Sequence, residues 1–140
     1  MEVNEINNLL TMAVKQNISD ILLVPENPPI LKFSDRTTEY GGTDLTADEI
    51  KAFARQVLSP YYQDIDTIDT VDSVKSKSLS YELKNVGRFR ISLFRSRFNL
   101  CLSIRVIPVE VRSFEDLNLP EQIATIAQLQ QGLVLIAGGV

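Results

Sequence analysis

Seven of the fourteen Lys and Arg residues lie between positions 84 and 112, with a single acid, Glu110, among them. That segment carries +6 in a chain of net charge −4, so the remainder carries −10. Alternation places three of the arginines. Phe89, Ile91 and Leu93 are spaced by two, as are Leu100, Leu102 and Ile104, and residues two apart share one face of a strand. Arg88, Arg90 and Ser92 then share the opposite face with Cys101, Ser103 and Arg105. A hairpin turning near Ser96-Arg97 sets Phe89 opposite Ile104, Ile91 opposite Leu102 and Leu93 opposite Leu100. The same register sets Arg88 opposite Arg105 and Arg90 opposite Ser103. A one-residue slip would break every apolar pair.

Like charges facing each other on a sheet are unfavourable, so three guanidinium groups on one face call for a negative partner or for solvent. Glu82, on the polar side of the preceding strand, is one internal partner. An external anion is another. The residue type suits an oxyanion, because arginine presents a planar fork that matches phosphate oxygens and lysine does not.

Other elements must hold this hairpin. Val3, Ile6, Leu9, Leu10, Ala13 and Val14 form one stripe at helical spacing. Ser19-Asp20 leads into a strand over 21–24, stopped by Pro25 and Pro28-Pro29. Ile30, Leu31 and Phe33 make a second strand. Asp35-Arg36 and Gly41-Gly42 are turns around a short edge piece. Thr46 followed by Glu49 reads as a capping box for a helix with Ile50, Phe53, Ala54, Val57 and Leu58 on one face. The polar stretch 63–77 gives no clear assignment, Val71 and Val74 being its only strand-like residues. Leu79, Tyr81 and Leu83 alternate with Ser80 and Glu82. Phe114 to Leu117 is a short helical turn, and Pro120 opens a helix containing Ile123, Ile126 and Ala127 that Gly132 ends. Leu133 to Ala137 is an unbroken apolar run, expected as a strand buried on both faces.

Composition sets the class. The chain has 140 residues, 44% hydrophobic and 23% charged, values of a globular domain. An acidic chain is not built overall for nucleic acid. One cysteine, Cys101, and no histidine exclude a disulfide framework and the usual zinc sites. No apolar run approaches the length of about 20 residues that spans a bilayer.

The final stretch, Gly132-Leu-Val-Leu-Ile-Ala-Gly-Gly139-Val140, reads as a buried strand followed by Gly138. That is how a phosphate-binding loop of the form G-x-x-x-x-G-K-[ST] begins. The lysine and second glycine would lie beyond Val140.

These pieces together resemble the type IV pilus retraction ATPases, the PilT branch of the secretion-ATPase superfamily. The matching motifs are Ser19-Asp20-Ile21-Leu22-Leu23, Pro28-Pro29-Ile30-Leu31-Lys32, and Leu45-Thr46 before a helix. Val86-Gly87-Arg88-Phe89-Arg90-Ile91-Ser92-Leu93-Phe94 and Leu102-Ser103-Ile104-Arg105-Val106-Ile107-Pro108 follow. Phe114-Glu115-Asp116-Leu117-Asn118-Leu119-Pro120 and Gly132-Leu133-Val134-Leu135-Ile136 complete the series. The chain departs from the family where Leu22 replaces a common histidine. It departs again where Lys32 to Arg36 lacks a turn glycine, where Ser78 replaces an acid, and where Gly139 replaces a common loop proline.

The resemblance implies an α/β (α+β) chain. Residues 1–108 would form a PAS-like N-terminal domain, an antiparallel sheet flanked by helices. Residues 109–113 would be a linker, and 114–140 the first helix and strand of a RecA-like ATPase domain, cut before its Walker A loop. It implies a cytoplasmic hexameric ring, peripheral to the inner membrane, acting on an inner-membrane pilus platform protein. ATP and Mg2+ would be cofactors of the full-length protein and not of this chain alone. Arg88, Arg90, Arg105 and Gly138 are then the expected nucleotide-binding residues, with Arg90 and Arg105 stabilising phosphate charge in catalysis and no metal ligand within the chain. Arg95 and Arg97, near the turn, are weaker candidates. A PAS-like ligand- or partner-binding regulatory module, and a pilus-assembly or type II secretion ATPase, are the alternatives.

Overall fold

The computed structural model describes residues 3–59, 76–108 and 110–138. They fall into two units, Met1–Val109 and Glu110–Val140.

In the first unit, helix α1 (Val3–Lys15) buries Ile6, Leu9, Leu10 and Ala13, the stripe that the spacing predicts. Its end is fixed by Asn17, which takes φ 54°. Asn17 N–H donates to Val14 O at 3.4 Å and Ile18 N–H to Ala13 O at 2.9 Å. This is the paired closure of a Schellman motif, with the short polar side chain of asparagine tolerated in the left-handed position.

Strands β1 (Asp20–Leu23), β2 (Ile30–Lys32) and β3 (Thr37–Glu39) lead to helix α2 (Ala47–Leu58). The capping box forms as expected. Glu49 N–H donates to Thr46 Oγ1 at 3.3 Å, and Thr46 N–H donates to Glu49 Oε2 at 2.7 Å. Strands β4 (Ser76–Leu83), β5 (Gly87–Ser96) and β6 (Asn99–Ile107) complete a six-stranded antiparallel sheet of order β3-β2-β1-β6-β5-β4. Val71 and Val74, and most of the unassigned stretch 63–77, lie outside the described residues.

One hydrophobic core joins both helices to one face of the sheet through Ile21, Leu23, Phe89, Ile91, Leu102 and Ile104. Tyr81 ties its margin together. Its ring meets Phe53 edge-on at 6.0 Å and Phe89 at 6.5 Å. Its hydroxyl accepts from Gln56 Nε2 at 3.0 Å and donates to Asn7 Oδ1 at 3.3 Å. Burial raises the Tyr81 pKa, an effect that the Gln56 hydrogen bond partly offsets.

The β5–β6 hairpin keeps the expected faces but not the expected register. Phe89 lies opposite Val106, Ile91 opposite Ile104, Leu93 opposite Leu102, and Arg90 opposite Arg105. The pairing is displaced by two residues from that read from apolar matching. A two-residue displacement leaves each side chain on its own face, so alternation alone does not detect it. The turn decides. Its central residues are Arg97 (φ 48°) and Phe98 (φ 71°), the positive pair that a two-residue type I′ connection requires.

In the second unit, Ser113 and Asp116 cap each other across a turn. Asp116 N–H donates to Ser113 Oγ at 3.1 Å, and Ser113 N–H donates to Asp116 Oδ2 at 3.2 Å. Hydrogen bonds from the Ser113 side chain and backbone hold the Asp116 carboxyl below its ordinary pKa. Helix α3 (Gln122–Ala127) is short and buries no residue. The expected strand at 133–137 is not formed. That stretch is irregular, with Leu133, Leu135 and Ile136 more than four-fifths exposed. A strand buried on both faces takes its hydrogen bonds from neighbours, and no strand is present among the described residues of this unit.

Candidate phosphate-binding face

The helices cover one face of the sheet, and the other carries the arginines. Register brings Arg90 of β5 and Arg105 of β6 directly opposite each other, and Arg105 directly opposite Asp20 of β1. Arg105 Nε donates to Asp20 Oδ1 at 2.9 Å. Arg90 Nε donates to Ser78 Oγ at 3.0 Å, and Ser92 Oγ is 3.2 Å from Ser78 Oγ. Asp20, Ser78, Arg90, Ser92, Ser103 and Arg105 line an open basin of about 290 Å³. With two guanidinium groups and one carboxylate, its formal charge is +1.

Both anchoring bonds use Nε, the inner donor of the guanidinium. The terminal nitrogens, which make the two-pronged contact with a carboxylate or phosphate, lie beyond it. Arg105 keeps 69% of its side chain exposed while its anchor Asp20 keeps 21%. An acid that is mostly covered therefore holds a cation that faces outward. Two forks on adjacent strands, flanked by serine hydroxyls, suit an anion with several oxygens.

The remaining candidates lie elsewhere. Arg88 pairs across the sheet with Glu82 on one side and Ile107 on the other, and it does not line the basin. The expected facing of Arg88 with Arg105 gives way to Arg90 with Arg105, because of the register displacement. Glu82, read as a neutraliser of the whole face, is the direct neighbour of Arg88 alone. Arg95 is at the hairpin tip, where its Nη1 donates to Phe98 O at 3.2 Å, and Arg97 is in the turn itself. Gly138 is in the second unit, with open space around it. Among the described residues no group of three or more His, Cys, Asp or Glu could hold a metal ion.

Asp20 was missed as a site residue. It lies 85 positions from Arg105, and only the placement of β1 beside β6 brings them together. The available signal was an acid at the head of a strand whose companions are apolar.

The mixed α/β fold, a six-stranded antiparallel sheet with helices, matches that of the N-terminal domain of PilT-like secretion ATPases. No protein-family model matches the chain. The chain is homologous to type IV pilus ATPases of Pseudomonas aeruginosa. It is 24% identical to the type IV pilus ATPase PilU over 136 residues, 96% of this chain and 34% of that protein. It is 25% identical to the retraction ATPase PilT over 134 residues, 96% of this chain and 38% of that protein. The chain thus spans little more than a third of the length of these relatives. Among solved structures, the retraction motor PilT with bound ADP shares the fold at TM-score 0.67 and 21% identity, over 92% of this chain and 36% of that one. The Legionella pneumophila ATPase DotB shares it at TM-score 0.73 and 20% identity, over 94% and 37%.

Proposed function

We propose that the chain is the N-terminal domain of a ring-forming ATPase that powers type IV pilus retraction. In this reading Arg90 and Arg105 contact the phosphates of a nucleotide held mainly by a RecA-like domain. The observation that carries it is the facing pair of arginines, each anchored by Nε. The homology to PilT and PilU supports it, as does the ADP bound in the PilT structure.

The residues fit a phosphate chain. Two planar cations preset on adjacent strands would meet its oxygens without first being ordered, so less entropy is lost on binding. As charge grows on the transferred phosphoryl group, they would stabilise it as an arginine finger does. Bound nucleotide supplies the reacting phosphate, and Mg2+ would be held by other parts of the full-length protein. The chain by itself is expected to hydrolyse nothing. Residues 110–140, with α3 and Gly138, would be the entry into the ATPase domain. Nucleotide-driven movement between the domains would act on a platform protein at the inner membrane, the protein itself being cytoplasmic.

The Asp20–Arg105 ion pair favours a second reading, in which the polar face neutralises itself and has a structural or ring-assembly role. Titration of the chain with tripolyphosphate, followed by amide NMR, separates the two. Shifts centred on Ser78, Arg90, Ser103 and Arg105 are expected. Shifts spread evenly over all exposed arginines, including Arg36 and Arg112, would remove the phosphate reading.

A further inference from the structure

Three successive cross-strand pairs of the β5–β6 hairpin lie on the open face of the sheet. Arg90 is opposite Arg105, Ser92 opposite Ser103, and Phe94 opposite Cys101. Residues two apart on a strand share a face and are about 6.7 Å apart along it. The open face therefore changes character in even steps, from two cations to two hydroxyls to an aromatic ring beside a thiol. The basin takes in the first two pairs and ends at Ser92 and Ser103. The third pair is the next row beyond it.

The packing of the domain does not account for Phe94. It is half-buried, and it belongs neither to the core cluster nor to the residues packed against that cluster. The ring contacts at the core margin run through Phe53, Tyr81 and Phe89 instead. Cys101, opposite it, is fully covered. Leu22, opposite Ser103 on β1, is half-buried. These three residues make an apolar shelf beside the serine row. None of them has a carboxylate, amide or cation to read the edge of a ring by hydrogen bonding. What the shelf offers is the π-face of Phe94, which suits a flat aromatic partner.

We infer that the shelf receives the base of the nucleotide whose phosphates meet Arg90 and Arg105, with Phe94 as its stacking platform and Ser92 and Ser103 beside its sugar. This rests on the phosphate reading of the basin and extends it by one row. The order of the rows is the order of parts in a nucleotide: anionic phosphates, a hydroxyl-bearing sugar, a flat base. Serine hydroxyls both donate and accept, as the hydroxyls and ring oxygen of a sugar require. The row spacing is comparable to that between phosphate, sugar and base in an extended nucleotide. A RecA-like domain would still grip the phosphates, because the shelf engages only the end of the ligand away from them. Recognition by stacking tolerates any base, so the site takes nucleotides as a class and discriminates weakly among them.

Calorimetric titration of the 140-residue chain with tripolyphosphate and with ATP, both free of metal, tests this. ATP carries no more charge than tripolyphosphate, so the arginines cannot favour it. ATP is expected to bind about tenfold more tightly, the range of one stacked base. Phe94→Ala should bring ATP down to the level of tripolyphosphate and leave tripolyphosphate within about twofold. Phe94→Tyr, which keeps the ring, should keep the gain. Nuclear Overhauser contacts between the Phe94 ring and the adenine protons of bound ATP are expected in the unmutated chain, a readout that no variant's folding affects. Tripolyphosphate binding with no gain for ATP overturns this inference and leaves the phosphate reading standing. So does Phe94→Ala weakening both ligands equally with an unchanged melting curve, or adenine contacts that fall on other residues. Binding of neither ligand overturns the inference and the phosphate reading together.

Discussion

Arg90 and Arg105 face each other across β5 and β6, and each is tethered by its Nε, one to the Ser78 hydroxyl and the other to the Asp20 carboxylate. Two like charges in direct register are a cost to the sheet. Asp20 relieves it on one side only, and the Ser78 hydroxyl is neutral. The face is therefore left with a surplus positive charge beside ordered donors.

Removing that surplus should cost function more than fold. Arg90→Ala or Arg105→Ala is expected to change unfolding free energy by no more than about 1 kcal/mol, the range of exposed ion pairs. Loss of a charged hydrogen bond worth roughly 1.5–3 kcal/mol should weaken tripolyphosphate binding about ten- to hundredfold. Arg88→Ala should leave binding within about twofold, because Arg88 is outside the basin. Parallel urea melts and NMR titrations check this, and a melt that falls in step with affinity would favour the structural reading.

Asp20 separates orientation from charge. Asp20→Asn keeps an oxygen that can accept from Arg105 Nε while losing the negative charge, so the anion should bind several-fold more tightly, a gain of roughly 1 kcal/mol. Asp20→Ala loses the tether as well and should bind less tightly than Asp20→Asn. Equal affinity for the two variants would show that the tether does not preset the fork.

The core predicts larger effects. Phe89→Ala empties the centre of the sheet–helix interface and should cost about 3–5 kcal/mol. Thr46→Ala removes the side-chain acceptor of the capping box and should cost about 1 kcal/mol. Denaturant unfolding of unit-length melts at constant pH gives both values, and a Thr46→Ala loss near zero would mean that the capping bonds are replaced by water.

Asp116 and Cys101 should respond to pH in opposite senses. Asp116 has a depressed pKa in the folded turn, so its contribution is present above the ordinary carboxylate range and is lost as pH falls through the depressed value. Amide signals of Ser113 and Asp116 should record the turn loosening on acidification. Cys101 is fully buried, and burial raises its pKa, a Ser96 backbone hydrogen bond partly offsetting this. Its contribution is complete below the ordinary thiol pKa and is lost as pH rises through the raised value. Its reaction with a thiol reagent near neutral pH should therefore require unfolding; rapid labelling of the native chain would contradict the buried placement.

Local patterns were legible where the information was local. The Thr46–Glu49 box, the α1 stripe and the two faces of the β5–β6 hairpin depend on residues within one or two turns of each other. Asp20 beside Arg105 depends on strand order, which no short-range pattern encodes. The hairpin register depended on two residues, Arg97 and Phe98, that lack the Asn-Gly signature of the turn they make. The strand expected at 133–137 failed for a further reason, since apolar composition marks a segment as able to be buried but does not provide the neighbouring strands that would bury it.

The turn at Arg97-Phe98 acts on the basin as an index mark acts on a sliding scale. Facing residues in this hairpin can change partner only in steps of two if the apolar side is to stay covered, so the scale has discrete settings. At the present setting Arg105 reads against Arg90, and one setting away it reads against Arg88. Asp20 would remain with Arg105 at either setting, because the β1–β6 pairing is separate from the turn. A substitution at the tip that favoured a different turn would thus exchange one arginine of the pair for the other without altering any residue in the basin, and its cost would fall on the buried pairs of the covered face, which would have to repack.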